Sequence, residues 1–294
     1  MKVEDFLNYL RYERNRSELT VTNYERSLKD FESYFKNRES QLSWESVDSD
    51  IIRDWMESLM DKGDMASTVN NKLSAVRSFY RFALARKMVT ADPSYNIQGP
   101  KKKKPLPQFV RESEMDRLID LPQMWGDSFE DLRARTIIIL FYETGIRLAE
   151  LVGLNDADVD FTMHQLKVTG KRNKQRIVPF GNELETALKE YMRQRDSTVP
   201  RVDEALVVDD KGCRIGRSRV QNIVRRELSK TTTMKKRSPH VLRHSFATAM
   251  LNNGAGLEAV RKLLGHESVA TTEIYTHTTF EQLKKVYENA HPRA

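Results

Sequence analysis

Cysteine is almost absent from this chain of 294 residues, which contains only Cys213. A single cysteine cannot form a disulfide within the chain, and this excludes the small secreted folds that depend on disulfides. Long hydrophobic runs are also missing, because the longest apolar stretch, about 136–142, is far shorter than a membrane span. The N-terminus carries acidic residues where a signal peptide would have its apolar core. These absences predict a cytoplasmic protein in a reducing compartment, with no membrane partner.

Positive charge is present in excess, but only in one part of the chain. Residues 1–100 contain 15 basic and 16 acidic residues, whereas residues 101–294 contain 34 basic and 26 acidic ones. A local excess of positive charge suits a nucleic acid, since neutralised phosphates release their counterions. Charge alone fits a solvated basic surface equally well, so it does not decide between the two.

Helical periodicity dominates the first hundred residues, with amphipathic segments near 3–14, 20–35, 51–62 and 69–85. Ser67 and Thr68 are candidate caps of the last one. Four helices of this length can close a bundle, so residues 1–99 are predicted to form a helical domain. Residues 100–110 are predicted to be a linker, because the segment GPKKKKPLP at 99–107 cannot form a helix or a central strand. Its lysines can follow a DNA backbone or simply face water.

Residues 111–294 are predicted to form a second domain of mixed structure. Two short strands, 165–168 and 176–179, flank a turn at 170–174. The predicted helices cover 114–119 (capped by Ser113), 132–151, 183–195, 218–228, 239–252, 257–264, 270–275 and 279–289. The fold class expected is therefore mainly α with a small antiparallel β-sheet.

Two segments place charged residues in unusual settings. In TGIRLAELVGL, residues 144–154, Arg147 lies within an apolar stretch and Glu150 follows three positions later. A buried arginine needs a partner or an anionic ligand, and an internal Arg–Glu pair is the simpler interpretation. In VTGKRNKQRIVPF, residues 168–180, Lys171 and Lys174 lie at a hairpin turn that is either solvated or able to deliver a proton to a leaving group.

Two later segments contain histidines and a tyrosine. In SPHVLRHSFATAM, residues 238–250, His240 and Arg243 share one helix face, and no nearby residues complete a metal shell with His240 and His244. In LLGHESVATTEIYTH, residues 263–277, Gly265 is suited to a left-handed helix end. His266 follows it, and Tyr275 falls near the end of the next predicted helix.

Each of these segments has an ordinary structural interpretation, but together they supply the groups for phosphoryl transfer without a metal. Arginine forks stabilise the phosphate oxygens in the transition state. Histidine moves protons near neutral pH, lysine protonates a leaving oxygen, and tyrosine is a nucleophile if a cationic pocket lowers its pKa. No cofactor is needed for this chemistry.

The chain resembles the tyrosine recombinases, most closely the bacterial Xer recombinases, over nearly its whole length. TGIRLAEL is similar to the family's first arginine box, HVLRHSFAT to the second, and LGHESVATTEIYTH to the third, which carries the nucleophile. The final HPRA, residues 291–294, is similar to Xer C-termini. The sequence departs from the family pattern at Ala149, where serine is frequent, and at 121–131, which is somewhat longer than usual.

The resemblance implies a role for each matching position. Arg147 and Arg243 would clamp the scissile phosphate, His240 and His266 would hydrogen-bond to it and manage protons, and Glu150 would brace the pocket. Lys171 would be the general acid, with Lys174 on the same turn as the alternative, and Tyr275 would be the nucleophile. Strand exchange would proceed through a 3′-phosphotyrosine and a Holliday junction, with neither metal nor ATP.

The resemblance also implies a two-domain, C-shaped clamp around double-stranded DNA, with no additional DNA-reading domain at the N-terminus. The implied assembly is a homotetramer, or a heterotetramer with a second recombinase, on paired sites, with a DNA translocase as a candidate activator. The C-terminal helix, 281–289, is expected to dock on a neighbouring subunit through Leu283 and Val286. Candidate DNA-contacting residues in the two domains are Thr20, Asn23, Arg26, Asn71, Lys72, Ser74, Arg77, Arg81, Arg217, Arg219 and Arg225.

The expected activity is site-specific DNA recombination for chromosome dimer resolution at a dif-like site, serving chromosome partition and cell division in the nucleoid. Three alternatives remain open. The same chemistry serves an integrase or excisionase of a mobile element, and a related nicking topoisomerase would relax supercoils without pairing two sites. A DNA-binding protein without catalysis is the third alternative, although it would have no use for Tyr275 beside two histidines.

Overall fold

The computed structural model describes residues 2–102, 108–170, 173–265 and 277–294, with side chains of the last segment from Phe280 onward. The chain divides into two compact units, Met1–Pro105 and Leu106–Ala294. In the described part of the chain, no helix has both the length and the apolar character needed to cross a membrane.

The first unit is helical throughout its regular structure. Its elements are α1 (Val3–Asn8) continued by a π-helical turn (Tyr9–Glu13), α2 (Glu18–Arg38), α3 (Ser49–Asp61) and α4 (Ala66–Ala85). Asp48 caps α3 by accepting hydrogen bonds from the backbone N–H groups of Asp50 and Ile51 at 2.9 Å. Helix α4 begins at Ala66 with Met65 in the capping position, so the prediction of Ser67 and Thr68 as caps is wrong.

Aromatic side chains form much of the core of this unit. Trp44 packs on Phe79 with the ring centroids 4.5 Å apart, and Trp55 packs on Phe31 at 4.7 Å. All four side chains are buried, and offset or edge contacts between aromatic rings add about 0.5–1.5 kcal/mol each to the gain from burial. The amphipathic spacing of the sequence thus closes a bundle around a shared aromatic core.

The second unit combines helices with a small sheet. Its helices are α5 (Glu112–Asp120), α6 (Phe129–Thr144), α7 (Leu148–Gly153), α8 (Asn182–Thr198), α9 (Arg217–Leu228), α10 (Pro239–Asn252), α11 (Leu257–Leu264) and α12 (His277–Ala290). Helix α6 is apolar on nearly every side and packs against α8, α9 and α10, which makes it the centre of the unit. Helix α5 begins after Arg111, so Ser113 lies inside it and the predicted Ser113 cap is wrong.

The predicted continuous helix over 132–151 is also wrong, because the chain turns at Gly145 between α6 and α7. Gly145 adopts a left-handed conformation with φ +59°. A Cβ atom at this position would lie 2.5 Å from Cδ1 of Phe246 and 2.9 Å from Cδ2 of Leu264. Position 145 therefore requires glycine both for its backbone angles and for the close approach of α10 and α11.

The sheet consists of three antiparallel strands in the order β1 (Val159–Asp160), β2 (Gln165–Thr169) and β3 (Gln175–Pro179). Strands β2 and β3 match the two predicted strands, whereas the two-residue β1 has too little alternation to be found in the sequence. Val168 pairs with Arg176 across β2 and β3. Beyond this pair, the backbone N–H of Gly170 donates to the carbonyl of Lys174 at 2.7 Å and closes the hairpin turn.

Both ends of the predicted linker are held by neighbouring structure. The side-chain amide of Asn70 donates to the carbonyl of Pro100 at 2.8 Å within the first unit. In the second unit, Val110 is buried and its N–H donates to the hydroxyl of Ser245 at 2.8 Å.

The C-terminal helix α12 packs on its own unit. Leu283 is buried in a cluster with Phe246 and Met250, and Val286 packs against the same cluster. The expected docking of this helix on a neighbouring subunit stays a prediction. The amphipathic spacing of its anchors was correct, but periodicity does not tell which surface receives them.

The C-terminal tail fixes the end of α12 in a buried polar cluster. The Tyr287 hydroxyl donates to Oε2 of Glu143 at 3.2 Å, and this oxygen also accepts the N–H of Gly181 at 2.9 Å. His291 is buried and stacks on Tyr287 at 5.1 Å. Arg293 pairs with three carboxylates, those of Asp116, Asp120 and Glu183.

Candidate active site

Arg147 lies at the junction between α6 and α7, as the residue immediately before α7. Its backbone N–H donates to Oε2 of Glu150 at 2.7 Å, and its Nη1 donates to Oε1 of the same carboxylate at 2.9 Å. The Glu150 side chain is buried, whereas that of Arg147 is 33% exposed. Glu150 thus fixes Arg147 from the protein side while the guanidinium keeps access to solvent.

Arg243 projects from α10, which starts with Pro239 at its first position, where a missing N–H costs nothing. The Arg243 guanidinium is buried and donates from Nη1 to the carbonyl of Gly145 and from Nη2 to the carbonyl of Leu264, both at 2.6 Å. Burial, followed by the charges of Arg147 and Arg176, lowers the pKa of Arg243 to about 9, although Glu150 acts in the opposite direction. Arg243 is still a cation at neutral pH, and the charged groups around it are mostly positive.

Arg176 on β3 belongs to the same cluster, and sequence reasoning did not single it out. Its Nη1 and Nη2 donate to Oε1 and Oε2 of Glu150 at 2.7 and 3.0 Å, and its Nε donates to the carbonyl of Leu263 at 3.0 Å. Arg176 and the buried Val178 are two positions apart on one strand, so they share its buried face. This alternation was the available signal that Arg176 points inward.

The three arginines meet at the C-terminal end of α11. Arg176, Arg243 and Arg147 donate to the carbonyls of three consecutive residues, 263, 264 and 265 respectively. Carbonyls at a helix C-terminus lack intrahelical partners and carry partial negative charge, so cations are favourable there. Gly265 ends the helix in the left-handed conformation predicted from the sequence, with φ +62°. The end of α11 therefore brings Arg147 and Arg243 to one place.

Among the residues that the structure describes, Glu150 is the buried carboxylate that supplies negative charge to this cluster. Burial raises the pKa of Glu150, but the hydrogen bonds and charges of Arg176, and then those of Arg147, outweigh burial and lower that pKa below its ordinary value. Counted over the described part of the cluster, three guanidinium groups against this carboxylate leave a local excess of positive charge. A phosphate diester is an anion of the size and charge that such a site binds through forked hydrogen bonds.

His240 lies one helical turn before Arg243 on α10, with its side chain exposed. Partial desolvation, followed by the charges of Lys236 and Arg243, lowers the pKa of His240. The imidazole is therefore neutral at pH 7 and able to accept a proton. Within the ranges that the structure describes, no group of three or more His, Cys, Asp or Glu residues is arranged to hold a metal ion.

Three of the predicted catalytic residues, Lys171, His266 and Tyr275, lie outside the described residues. The neighbours of two of them are described. A Cβ atom on Gly170, immediately before Lys171, would lie 3.3 Å from Oε1 of Glu150, so the hairpin turn approaches the Arg147–Glu150 pair. Gly265 immediately precedes His266 in the chain. Lys174, the alternative general acid, is exposed.

The candidate DNA-contacting residues differ in how far they are engaged within their own unit. Lys72 on α4 pairs with Asp30 at 2.7 Å and Asp64 at 3.2 Å, and Arg77 donates to the carbonyl of Ile97. Thr20 accepts or donates a hydrogen bond with the Ser17 hydroxyl at 2.9 Å, and Arg219 on α9 pairs with Asp210. The remaining candidates are exposed: Asn23, Arg26, Asn71, Ser74, Arg81, Arg217 and Arg225.

Comparison with known proteins finds similarity along the whole chain. A family model described as the phage integrase family matches residues 108–282, and one described as the phage integrase N-terminal SAM-like domain matches residues 3–87. The chain is 35% identical to tyrosine recombinase XerD of Oceanobacillus iheyensis over 295 residues, which cover 99% of this chain and 98% of that one. It is 38% identical to tyrosine recombinase XerC of Chlorobaculum parvum over 317 residues, covering 99% and 94%.

Among solved structures, the fold is similar to that of XerH site-specific recombinase in a post-cleavage complex with a palindromic difH substrate. The TM-score is 0.72 at 24% identity, over 92% of this chain and 80% of that one. This likeness extends the sequence comparison to the three-dimensional fold, including the mainly helical architecture with a small antiparallel sheet.

Proposed function

Because this chain belongs to the phage integrase family, as a tyrosine recombinase of the Xer type that cleaves and rejoins DNA at specific sites, we propose that its nucleophile is Tyr275 and that it resolves chromosome dimers at a dif-like site. Arg147, Arg243 and His240 bind the scissile phosphate and Glu150 braces them. Lys171 and His266 complete the site. The enzyme acts on double-stranded DNA in the cytoplasm.

The observation that carries this proposal is the convergence of Arg147 and Arg243 on the carbonyls of residues 265 and 264. These two arginines are almost a hundred residues apart in sequence. Their common position, with the neutral His240 one turn away, provides several donors for one anionic group. The chain leaves this point directly into the segment that contains His266 and Tyr275.

In the cleavage step, the Tyr275 oxygen attacks the phosphorus and forms a 3′-phosphotyrosine while the bond to the 5′ oxygen breaks. His240 takes up the phenol proton, and Lys171 donates a proton to the departing 5′ oxygen. Arg147 and Arg243 stabilise the charge on the non-bridging oxygens, a contribution worth about 3–4 kcal/mol for each such donor.

In the rejoining step, the 5′-hydroxyl of the partner duplex attacks the phosphotyrosine and releases Tyr275. Each step exchanges one phosphate diester for another, so no ATP is consumed. Two sites cut on both strands require four tyrosines, which is the reason for a tetramer made of four copies or of two copies with a second recombinase. Activation by a DNA translocase is part of the same proposal, and recombination by the purified recombinase alone would argue against it.

The chemistry is tested with nicked suicide DNA, from which the cleaved end diffuses away and leaves the covalent adduct. Wild-type protein should form an adduct that survives a denaturing gel, and Tyr275→Phe should lose it while keeping site-specific binding. Tyr95→Phe is a matched control, since Tyr95 is 81% exposed in the first unit and has no proposed role. An adduct formed by Tyr275→Phe would show that another residue is the nucleophile.

The biological target is tested by mapping the covalent adducts on genomic DNA from cells that express the protein. Dimer resolution predicts one major chromosomal site, and deletion of that site should leave dimeric chromosomes at division. Adducts at the two ends of a mobile element would instead assign the chain to integration or excision. The near full-length match to XerC and XerD relatives favours the first outcome.

A further inference from the structure

We propose that Arg176 is a positioning residue that orients Arg147 by clamping Glu150 and the end of α11. This inference rests on the proposed function, because the alignment of Arg147 matters for the reaction only if Arg147 binds the scissile phosphate. Nothing in the comparisons assigns a role to position 176.

The bonding of Arg176 leaves it facing the protein rather than a substrate. The residue is 8% exposed, and each of its three guanidinium nitrogens donates to a protein acceptor. Two of these acceptors are the oxygens of Glu150, in the forked geometry that only arginine provides. Arg176 therefore supports the site from behind.

The connection from Arg176 to Arg147 passes through a single carboxylate. Oε1 of Glu150 accepts hydrogen bonds from Nη1 of both arginines, at 2.7 and 2.9 Å, while Oε2 accepts from Nη2 of Arg176 and the backbone N–H of Arg147. If Arg176 is removed, Glu150 keeps only its hydrogen bonds to Arg147 itself. The carboxylate then has no link to β3, and it holds the Arg147 guanidinium less firmly. Misplacement of a substrate-binding group by about 1 Å can cost about 100-fold in rate.

Arg176 also ties the hairpin to the same carboxylate. It pairs with Val168 in the β2–β3 ladder, and Gly170 at the end of β2 lies against Oε1 of Glu150. A guanidinium on β3 thus fixes the base of the turn that carries Lys171 in relation to Glu150. From its place on the hairpin, Arg176 also reaches the end of α11, where it donates to the Leu263 carbonyl and lies 3.1 Å from a Cβ atom placed on Gly265.

A positioning role predicts a loss of rate with little loss of DNA binding. We expect Arg176→Lys to slow single-turnover cleavage of nicked suicide DNA about 10- to 100-fold, the scale that misplacement of a substrate-binding group by up to about 1 Å produces. The Kd for DNA should change less than threefold. Arg195→Lys is the matched control. Arg195 is fully buried and forks to Asp156 at 2.8 and 2.9 Å, but its partners lie outside the site. The control should lower the urea midpoint without slowing cleavage by the folded protein.

The pH profile separates positioning from a general loss of structure. Among the described residues, the charged groups that face Glu150 are Arg147, Arg176 and Arg243. In Arg176→Gln, Glu150 loses the hydrogen bond and charge of Arg176 that lower its pKa, so that pKa rises. Cleavage should then fall as the pH is lowered through a range in which the wild-type rate is constant. A variant that is slower by the same factor at every pH would overturn the proposal.

A double-mutant cycle tests whether Arg176 acts through Glu150. Arg176→Lys combined with Glu150→Gln should be no slower than the slower single variant, whereas a rate reduced by the product of the two factors would show independent action. An independent readout is the Nε–H NMR signal of Arg147 in the protein without DNA, which should shift or broaden in Arg176→Lys and stay unchanged in Arg195→Lys. An unchanged signal in Arg176→Lys would refute the positioning role, whatever the adduct assay shows. Failure of the wild-type protein to form an adduct would refute the proposed function but not the positioning of Arg147 by Arg176.

Discussion

Gly145→Ala should destabilise the catalytic unit and disturb the phosphate site together. The left-handed conformation costs an alanine about 1–2 kcal/mol, and the contacts of its Cβ at 2.5 Å from Phe246 and 2.9 Å from Leu264 cost about 1–3 kcal/mol more through overpacking. Alanine lowers the entropy of the unfolded chain, which returns about 0.4–1 kcal/mol. The net loss is about 1–4.5 kcal/mol, which corresponds to a decrease of roughly 2–18 °C in Tm for a unit of this size.

Two other glycines separate the effect of the left-handed backbone conformation from the effect of close packing. Gly254 has φ +87° with no atom within 4 Å of an added Cβ, and Gly153 has neither a positive φ nor a close neighbour. Scanning calorimetry should therefore show a net loss of about 0–1.5 kcal/mol for Gly254→Ala, after the same gain from the unfolded chain. Gly153→Ala should show little loss. Because the Gly145 carbonyl accepts a hydrogen bond from Arg243, Gly145→Ala should also slow adduct formation. If Gly145→Ala and Gly254→Ala unfold at the same temperature, the close packing of α10 and α11 against this turn is refuted.

Arg243→Lys should lower the cleavage rate about 100- to 1,000-fold, because an ammonium cannot reach both carbonyls and a phosphate. Site-specific DNA binding should survive in a gel-shift assay. A cleavage rate within threefold of wild type would exclude Arg243 from the chemistry. Burial raises the pKa of Glu143 to about 8, so the folded state holds this proton more tightly than the unfolded state. The stability contributed by the protonated group is complete below the ordinary pKa and is lost as the pH rises towards 8. In urea unfolding, the free energy of unfolding should fall by about 1 kcal/mol between pH 7 and 8 because of this group. Glu143→Gln cannot ionise, so this fall should be absent from the variant. Parallel plots of unfolding free energy against pH for the two proteins would contradict the prediction.

Local signals predicted the elements with clear ends. Helices α10 and α11 match the sequence prediction to the residue, because Pro239 marks the start of one and Gly265 the end of the other. Strands β2 and β3 were found from alternation around a turn. The pairing of Arg147 with Glu150 was also predicted, since the two are three positions apart and few other partners suit a charged residue in an apolar stretch.

Features that depend on distant contacts were missed. Apolar residues continue across Gly145, so the sequence favours one helix, and the turn becomes necessary only when Phe246 packs against it. Arg176 looked like part of a solvated hairpin because its partner, Glu150, lies on another element. The anchors of α12 were visible as a pattern, but the surface that buries Leu283 was not.

Three guanidinium groups donate hydrogen bonds to successive carbonyls at the end of α11. This arrangement has a consequence for the protein before it binds DNA. Like charges held this close repel one another, and the peptide dipoles ending at Gly265 act as a resident counter-ion that keeps them together. The cationic pocket can therefore be assembled by folding alone. If the proposed function holds, an arriving phosphate meets Arg147 and Arg243 already brought to one place by the fold.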